Sequence, residues 1–347
     1  MNTTLQINDF IKNIPKAELH IHIEGSLEPE MMFGIAKRNN IKIKHKSIED
    51  IKNTYNFTCL QDFLNIYYSG CDVLMVAQDF YDLTLAYLKK ARSQNITHCE
   101  IFFDPQTHTG RGIKFSTVTE GILKALRNGQ KKLGISSRLI LCFLRNLDEE
   151  SAMKTLKSAL NYKKEIIAIG LDSLEIGNPP RKFKRVFEKA REAGFLTVAH
   201  AGEEGPADYV KEALDLLKVS RIDHGNNSLD DERLINELAK KQIPLTICPL
   251  SNLRLKIVYD LKNHPLKIMM KKGLLVSINS DDPAYFGGYL NENFLAIIQA
   301  LNLTIDDITR LAKNSFQSSF LDADEKNKMI AKVNEYVKKF KPKISNQ

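Results

Sequence analysis

Short apolar runs alternate along the chain with longer segments in which apolar residues recur at helical spacing. Apolar runs of this length are typical of buried parallel strands, and the segments between them are typical of the helices that connect such strands. Eight runs are predicted as strands: Lys16–Glu24, Ile96–Asp104, Arg138–Arg145, Ile166–Glu175, Phe195–Glu203, Arg221–Gly225, Pro244–Leu250 and Leu274–Asp282. Intervening helices are predicted at Thr117–Leu133, Ser151–Lys164, Lys182–Ala193, Ala207–Leu217 and Asp231–Lys240.

The spacing of these strands predicts a closed barrel. From the fourth strand on, each strand begins roughly 20 to 30 residues after the previous one, which is the length of one strand and helix of a (β/α)8 barrel. We therefore expect an α/β fold, a TIM barrel, in which residues 1–347 form a single domain. Residues 27–95 are too many for one such unit and are predicted to be a helical insertion after the first strand that covers the barrel mouth. Helices are expected to continue over residues 291–340, with a capping sequence at Thr304, before a lysine-rich tail.

The basic charge of the chain is spread along its length. Lys and Arg number 50 against 42 Asp and Glu, a net charge of +8. The dense cluster lies at the C-terminal end and consists of Lys338, Lys339, Lys341 and Lys343. A solvated tail explains this cluster more simply than a nucleic-acid site does, and the chain has no Trp on which bases could stack. We therefore expect no nucleic-acid partner.

The cysteine content and the lengths of the apolar segments indicate where in the cell the protein is located. The five cysteines include no Cys-x-x-Cys pair, which indicates reduced thiols rather than a disulfide framework or a cysteine zinc site. The N-terminal residues contain no long apolar segment of the kind found in signal peptides. No stretch approaches the ~20 apolar residues that span a bilayer. These features predict a cytoplasmic protein without a membrane partner.

Two histidines end the first predicted strand. His20 and His22 are two residues apart, so on a strand their side chains project from the same face. Two imidazoles at the carboxyl end of a barrel strand can bind one divalent ion. A single His-x-His sequence is also compatible with two hydrogen-bonded or exposed histidines, so this pair does not establish a metal site by itself.

Other predicted strands also end in ionisable residues. The fifth delivers His200 and then Glu203, the sixth delivers His224, and the eighth delivers Asp281 and Asp282. In a barrel these ends meet on one face, where barrel enzymes keep their active sites. Burying so many ionisable groups is costly unless a cation or hydrogen bonds compensate them. Imidazoles with a carboxylate suit Zn, Fe or another first-row divalent ion, which lowers the pKa of bound water toward ~7.

Long sequence blocks resemble one known family. The chain is similar to the metal-dependent adenosine/adenine deaminases of the amidohydrolase superfamily from Pro15 to about Asn293. The resemblance rests on the blocks PKAELHIHIEGSLEPE, GLDSLEIGNPP, TVAHAGEEGPADYV, RIDHG, PLTICPLSN and INSDDPAYFGGY. It implies a (β/α)8 barrel that hydrolyses a 6-aminopurine to the oxo-purine and ammonia, with no organic cofactor. The implied cofactor is one divalent metal ion, expected to be Zn, with Fe and Mn as alternatives.

The resemblance also implies roles for individual residues. The implied metal ligands are His20, His22, His200 and Asp281. Glu203 matches the family's proton shuttle, which protonates the ring nitrogen next to the carbon under attack. His224 matches the residue that orients the attacking hydroxide and stabilises its developing charge. Asp282 matches the residue that hydrogen-bonds a purine ring nitrogen, and the backbone N–H of Gly177 is implied at the opposite edge of the ring.

One departure from the adenosine-type pattern bears on the substrate. Nucleoside deaminases of this family carry Asp two residues after the second histidine, where it contacts ribose, whereas this chain has Glu24. The longer side chain is expected to intrude on the space for the sugar. Together with the blocks that contain Glu203 and Asp281, Glu24 makes the chain similar to the microbial and fungal adenine deaminase branch. The expected activity is conversion of adenine to hypoxanthine in purine salvage.

Alternatives remain open at the level of sequence. A deaminase of adenosine or of an N6-substituted adenine would share the same chemistry, and pocket shape decides between them: a narrow pocket favours the base. Residues 57–68 and 73–80 are candidate pocket walls, although apolar stripes of this kind are more often core. A nonenzymatic basic protein on the same scaffold is a third hypothesis, disfavoured because no ligand or acid–base group is missing. The remaining histidines are predicted to lie on the surface or in loops: His45, His98, His108 and His264. The sequence gives no oligomeric state.

Overall fold

The centre of the fold is a sheet of eight parallel strands whose spatial order follows the chain order. The computed structural model describes residues 3–345, with side chains from Gln6 to Phe340. The strands are β1 (Lys16–His22), β2 (Ile96–Phe103), β3 (Ser136–Leu144), β4 (Ile166–Asp172), β5 (Leu196–Ala201), β6 (Arg221–His224), β7 (Pro244–Ile247) and β8 (Leu275–Ile278).

The first and last strands meet through a bridge between Ile21 and Asp281. The His22 N–H donates to the Asp281 carbonyl at 3.0 Å, and the Asp281 N–H donates to the His20 carbonyl at 3.1 Å. These two hydrogen bonds complete the (β/α)8 barrel that the strand spacing predicts. They also place three of the predicted metal ligands side by side.

Helices connect and surround the strands. They are α1 (Thr3–Asn13), α2 (Pro29–Arg38), α3 (Ile48–Thr54), α4 (Leu60–Cys71), α5 (Ala77–Ser93), α6 (Pro105–Thr109), α7 (Phe115–Leu133), α8 (Glu149–Ala159), α9 (Lys184–Glu192), α10 (Ala207–Glu212), α11 (Glu232–Lys241), α12 (Pro249–Arg254), α13 (Leu266–Lys271), α14 (Pro283–Phe286), α15 (Leu290–Leu301), α16 (Ile305–Gln317) and α17 (Ala323–Ser345). Short 3₁₀ turns occupy Glu24–Ser26, Leu160–Tyr162, Pro180–Phe183, Asn226–Asp230 and Leu261–Asn263, and a π-helical turn occupies Ala213–Leu217. Among the described residues, no helix combines the length and apolarity needed to cross a membrane.

The helices predicted after the first strand and after the last strand are both present. Helices α2 to α5 lie between β1 and β2, as expected for residues 27–95, and α15 to α17 follow β8. The Thr304 hydroxyl accepts a hydrogen bond from the Asp307 N–H at 3.2 Å and so caps α16. That all of these elements form a single domain stays a prediction.

Most predicted strands extend further than the observed ones. Strand β5 ends at Ala201 rather than Glu203, and β4 ends at Asp172 rather than Glu175. The reason is visible after β5, where the backbone N–H groups from Gly202 onward donate to the Glu175 carboxylate instead of a neighbouring strand. The polar residues at the strand ends therefore turn out of the sheet into the barrel mouth.

The expected lysine-rich tail is wrong, because helix α17 continues to Ser345. An apolar stripe holds this helix on α1: the ring of Phe10 lies 5.4 Å from that of Tyr336 and 4.8 Å from that of Phe340. The clustered lysines masked the helical spacing of these aromatic residues. Helix α1 itself was not predicted.

Three of the four remaining histidines are buried rather than on the surface, although one of them, His264, lies in a loop as expected. His98 lies within β2, where its ring nitrogens contact Ser136 at 3.0 Å and Glu100 at 3.3 Å. His264 contacts the Asn252 side chain, and His108 contacts a buried carboxylate described below. Only His45 is partly exposed, as expected. Internal hydrogen bonds satisfy the buried imidazoles, which apolar periodicity alone does not reveal.

Candidate active site

Four predicted metal ligands lie together at the carboxyl end of the barrel. The Nε2 atoms of His22 and His200 are 3.1 Å apart. Asp281 Oδ1 lies 3.2 Å from His20 Nε2 and 3.5 Å from His22 Nε2. All four side chains are buried. Ligand atoms of His20, His200, Asp281 and the neighbouring His224 also lie within 4.8 Å of one another.

The hydrogen bonds behind His20 aim a lone pair at this cluster. The Thr246 hydroxyl donates to Asp223 Oδ1 at 3.0 Å, so it accepts from His20 Nδ1 at 2.9 Å. That assignment leaves His20 Nε2 unprotonated, and it has no hydrogen-bond partner. Converging imidazole nitrogens with a carboxylate suit a divalent cation, and partners such as Thr246 commonly orient metal-bound histidines. The residues present therefore fit a metal ion.

Burial sets the charge states of these groups. It lowers the pKa of His200 well below its usual value and lowers that of His224 to about 3. Both imidazoles are therefore neutral, the form that binds a metal or accepts a proton. Burial also opposes ionisation of Asp281, but the adjacent His20 and His224 outweigh it and hold the Asp281 pKa well below its usual range.

Backbone geometry at the site is strained. His224 and Asp281 both adopt a φ of 64°, a left-handed conformation that residues other than Gly rarely occupy. Such conformations cost roughly 1–3 kcal/mol each and persist where surrounding structure imposes them. Here they turn two side chains from the ends of β6 and β8 into the barrel mouth.

A buried carboxylate organises the loop that carries Glu203. Glu175 accepts from the backbone N–H of Gly202 at 2.7 Å, of Glu203 at 3.0 Å, and of Glu204 and Gly205 at 2.8 Å each. Four N–H donors on one carboxylate fix both the path of this loop and the position of Glu203. Sequence reasoning gave Glu175 no role, because its donors are backbone groups.

We expect Glu175→Gln to lower kcat by at least about tenfold while metal content stays normal. An amide retains one acceptor oxygen but turns an NH₂ group toward N–H donors, which costs the loop several charge-assisted hydrogen bonds. Steady-state kinetics with metal analysis checks this result. The control Glu188→Gln makes the same change at an exposed position of α9 and should have no effect. An unchanged kcat in Glu175→Gln would show that the loop does not need this carboxylate.

Glu203 is placed and tuned as an acid. Its Oε1 atom is buried without a hydrogen-bond partner and lies 3.5 Å from His224 Nε2. Burial, and then the negative charges of Asp281 and Glu175, raise the pKa of Glu203 well above its usual value. A carboxyl group in this environment holds a proton at neutral pH and can donate it.

Asp282 also lines the cavity, and its carboxyl group favours the protonated form. Burial, and then the adjacent Asp281, raise its pKa well above the usual value, and its Oδ1 atom has no hydrogen-bond partner. The carboxyl group lies against the backbone of Gly25, where a Cβ atom would collide with it. Glycine at this position therefore permits the close approach of the two strand-end loops.

We expect Gly25→Ala to lower kcat/KM by roughly 10- to 100-fold, because the added methyl group displaces the Asp282 carboxyl and a misplacement of about 1 Å can cost 10²-fold. Kinetics on metal-analysed protein measures the loss. Gly34→Ala is the matched control, since nothing lies within 4 Å of a Cβ atom there. Equal rates for the two variants would refute the packing role of Gly25.

The cavity above these residues is narrow, with a volume of about 30 Å³. Helix α4 forms its apolar wall, and the lining residues on that helix are Leu60, Phe63, Leu64, Tyr67 and Tyr68. The candidate wall at residues 57–68 is thus confirmed, whereas no residue of 73–80 lines this cavity.

Two further carboxyl groups line the cavity and were missed by sequence reasoning. Asp104 follows β2, and Asp172 ends β4 with its Oδ2 atom 3.6 Å from His22 Nδ1. Burial, and then the adjacent Asp104, raise the pKa of Asp172 well above its usual value. Both residues follow apolar runs, the signal that identified the other site residues, but neither was assigned a role there.

The structure corrects two expectations near the substrate space. Glu24 is fully buried behind the cavity wall and does not line it. Its Oε1 atom accepts from His108 Nε2 at 2.9 Å and from the Asp104 backbone N–H at 3.3 Å. Gly177 lies in an exposed turn with a φ of 81° and is also outside the lining. Asp104 and Asp172 line the cavity instead.

Comparison with known proteins places the chain in a family. The family model described as adenosine deaminase matches residues 15–336. An adenine deaminase from Crocosphaera subtropica is 61% identical over 92% of this chain and 98% of its own length. The crystal structure of an adenine deaminase from Arthrobacter aurescens superposes with a TM-score of 0.92 at 47% identity, covering 94% of this chain and 99% of that one.

A second similar solved structure contains a bound metal ion. An amidohydrolase from Burkhoderia ambifaria with bound Zn superposes with a TM-score of 0.91 at 26% identity, covering 100% of this chain and 97% of that one. The match of the family model spans nearly the whole chain, and the Crocosphaera relative is similar along almost its entire length. This chain belongs to the adenosine deaminase family.

Proposed function

We propose that this protein hydrolyses adenine to hypoxanthine and ammonia. The observation that carries the proposal is the cavity in which the histidine and aspartate cluster, Glu203 and Asp282 lie together, all buried. The high identity to proteins named adenine deaminase supports adenine as the substrate.

One divalent metal ion is the proposed cofactor. His20, His22, His200 and Asp281 would hold it, and Zn is the expected ion because the donor set is nitrogen and oxygen and a similar structure binds Zn. When bound, the ion supplies an activated water at neutral pH. Every other part of the chemistry falls to side chains of this chain.

Glu203 is the proposed proton donor. Adenine loses its amino group when water adds to C6, and this addition is easier if ring nitrogen N1 takes a proton at the same time. The raised pKa of Glu203, due first to burial, keeps a proton available for N1. Once its proton has moved, the carboxylate can accept the two protons of the added water in turn. It passes one of them to the leaving ammonia and keeps the other, so that Glu203 ends protonated as it began. Water and adenine thus yield hypoxanthine and ammonia with no other reactant.

Asp282 and His224 are proposed to fix the substrate and the attacking water. N7 of adenine is an acceptor, and the carboxyl of Asp282, protonated because of its burial and of Asp281, can donate to it. Neutral His224 lies 3.5 Å from Glu203 and 3.8 Å from Asp281, between the acid and the metal cluster. That location suits a group that orients water and stabilises charge as it develops.

An ammonia-release assay tests the proposal. Metal-analysed protein is given adenine, adenosine and N6-methyladenine in parallel, with methylamine measured for the third. We expect adenine to have the highest kcat/KM of the three. Release from adenosine or N6-methyladenine at a higher kcat/KM would replace the proposed substrate, and no release from any of them would refute the deaminase function.

A further inference from the structure

Asp104 has an unused acceptor in the substrate cavity. The Tyr67 hydroxyl donates to its Oδ2 atom at 3.2 Å, and the adjacent Asp172 carboxyl also hydrogen-bonds the Asp104 side chain. Apart from Asp172, the buried Oδ1 atom of Asp104 has no hydrogen-bond partner. The residue is 2% exposed and lines the cavity. A carboxyl oxygen can accept two hydrogen bonds, so an oxygen with acceptor capacity left over at a cavity suggests that a ligand supplies a further donor.

The order of strands around the barrel indicates which edge of the purine faces Asp104. In the proposed complex, Glu203 after β5 contacts N1 and Asp282 after β8 contacts N7. The remaining ring atoms run from N1 to N7 through C2, N3, C4, N9 and C8. The remaining strands run from β5 to β8 through β4, β3, β2 and β1. On the path of ring atoms, N9 lies near the N7 end. The matching position on the path of strands is β2, which Asp104 follows.

The chemistry of the two groups agrees with this order. If N7 accepts a hydrogen bond from Asp282, the imidazole proton of adenine is on N9. N9–H is then a donor, and a carboxyl oxygen accepts from it whether or not the other oxygen carries a proton. In a nucleoside N9 bears the sugar and has no hydrogen to donate, so Asp104 would receive no hydrogen bond from the substrate.

A set of buried contacts holds Asp104 in place. Arg111 donates to His108 Nδ1 at 2.9 Å, so the proton of His108 is on Nε2 and is donated to Glu24. Glu24 in turn accepts from the Asp104 backbone N–H at 3.3 Å. This arrangement gives Glu24, the residue that departs from the adenosine-type pattern, a positioning role behind the cavity wall.

We infer that Asp104 is a specificity-determining residue that accepts a hydrogen bond from the N9–H of free adenine, so that an unsubstituted N9 is required for efficient turnover. This inference rests on the proposed adenine deaminase function. In this proposal, one side chain at the end of β2 recognises the free base.

Adenine and 9-methyladenine provide the test, because they differ in the donor at N9 and share N1, N7 and the reacting amino group. For wild-type protein we expect kcat/KM to be at least about 100-fold higher for adenine. Asp104→Ala should lower kcat/KM for adenine by about 10- to 100-fold and leave 9-methyladenine unchanged or faster, so that the ratio falls. Asp104→Asn keeps an acceptor oxygen and should restore part of the ratio.

Controls separate recognition from a structural role. Asp282→Asn should lower kcat/KM for both substrates by a similar factor, because both present N7. If Asp104→Ala lowers kcat/KM for adenine and for 9-methyladenine by the same factor, the inference is overturned. Binding to the wild-type protein gives a readout without a variant: hypoxanthine should bind at least about tenfold more tightly than 9-methylhypoxanthine, and equal affinities would overturn the inference.

The outcomes distinguish this inference from the proposed function. If wild-type protein releases ammonia from adenine and 9-methyladenine equally well, Asp104 recognition fails and the deaminase function survives. If wild-type protein releases no ammonia from adenine, the proposed function fails and the inference with it.

Discussion

Replacing Glu203 with Gln is expected to leave the metal content unchanged and to lower kcat for adenine by about 10³-fold, because general acid–base catalysis contributes 10²–10⁴-fold and an amide cannot exchange a proton with N1. Gln has nearly the size of Glu, and the backbone N–H of residue 203 still binds Glu175. The loss should therefore appear in kcat rather than in stability or metal binding.

The neighbouring residue supplies a control for this variant. The Glu204 carboxylate lies on the same loop but accepts from the Leu60 N–H at 3.4 Å, and so it ties the loop to helix α4. Glu204→Gln is expected to cost far less activity than Glu203→Gln. Near-normal turnover by Glu203→Gln would show that another group moves the proton.

Removing a metal ligand is expected to abolish metal content and activity together. His20→Ala deletes an imidazole whose Nε2 atom lies 3.2 Å from the Asp281 carboxylate, and Asp281→Ala deletes the carboxylate that lies against both His20 and His22. Either change leaves the remaining buried ligands without an essential donor. Metal analysis of the purified variants and the ammonia assay measure the two losses on the same samples.

The partly exposed His45 provides the matched control for these variants. His45→Ala removes a histidine that lies outside the cluster and should keep both metal and activity. Retention of full activity in His20→Ala or Asp281→Ala would refute the proposed ligand set. Retention of metal with loss of activity would assign the deleted side chain to catalysis instead.

The barrel was predictable because its signals are local and repeated. Parallel strands buried on both faces give apolar runs, and the crossover helices give a regular spacing between them. The same logic located the cluster, since residues such as His200 and Asp281 follow apolar runs and parallel strand ends meet at one face. Strand lengths were overestimated because side chains such as Glu175 capture backbone N–H groups that apolar patterning assigns to the sheet.

The residues that sequence reasoning missed or misplaced depend on contacts between distant parts of the chain. Asp104 follows an apolar run, yet nothing local shows that its carboxyl group contacts Tyr67, 37 residues away, and lines the cavity. Glu24 departs from a family pattern, but its partner His108 lies 84 residues away. The hydrogen bond between them holds the Glu24 carboxylate behind the cavity wall. Long-range hydrogen bonds of buried polar groups therefore set the details of this site.

Anomalous diffraction from crystals grown with Zn, recorded at the Zn absorption edge, locates the proposed metal ion. We expect one strong peak bounded by the Nε2 atoms of His20, His22 and His200 and by the Asp281 carboxylate. A peak instead among His22, Asp104 and Asp172, a second group able to hold an ion, or no peak at saturating Zn, would contradict this expectation.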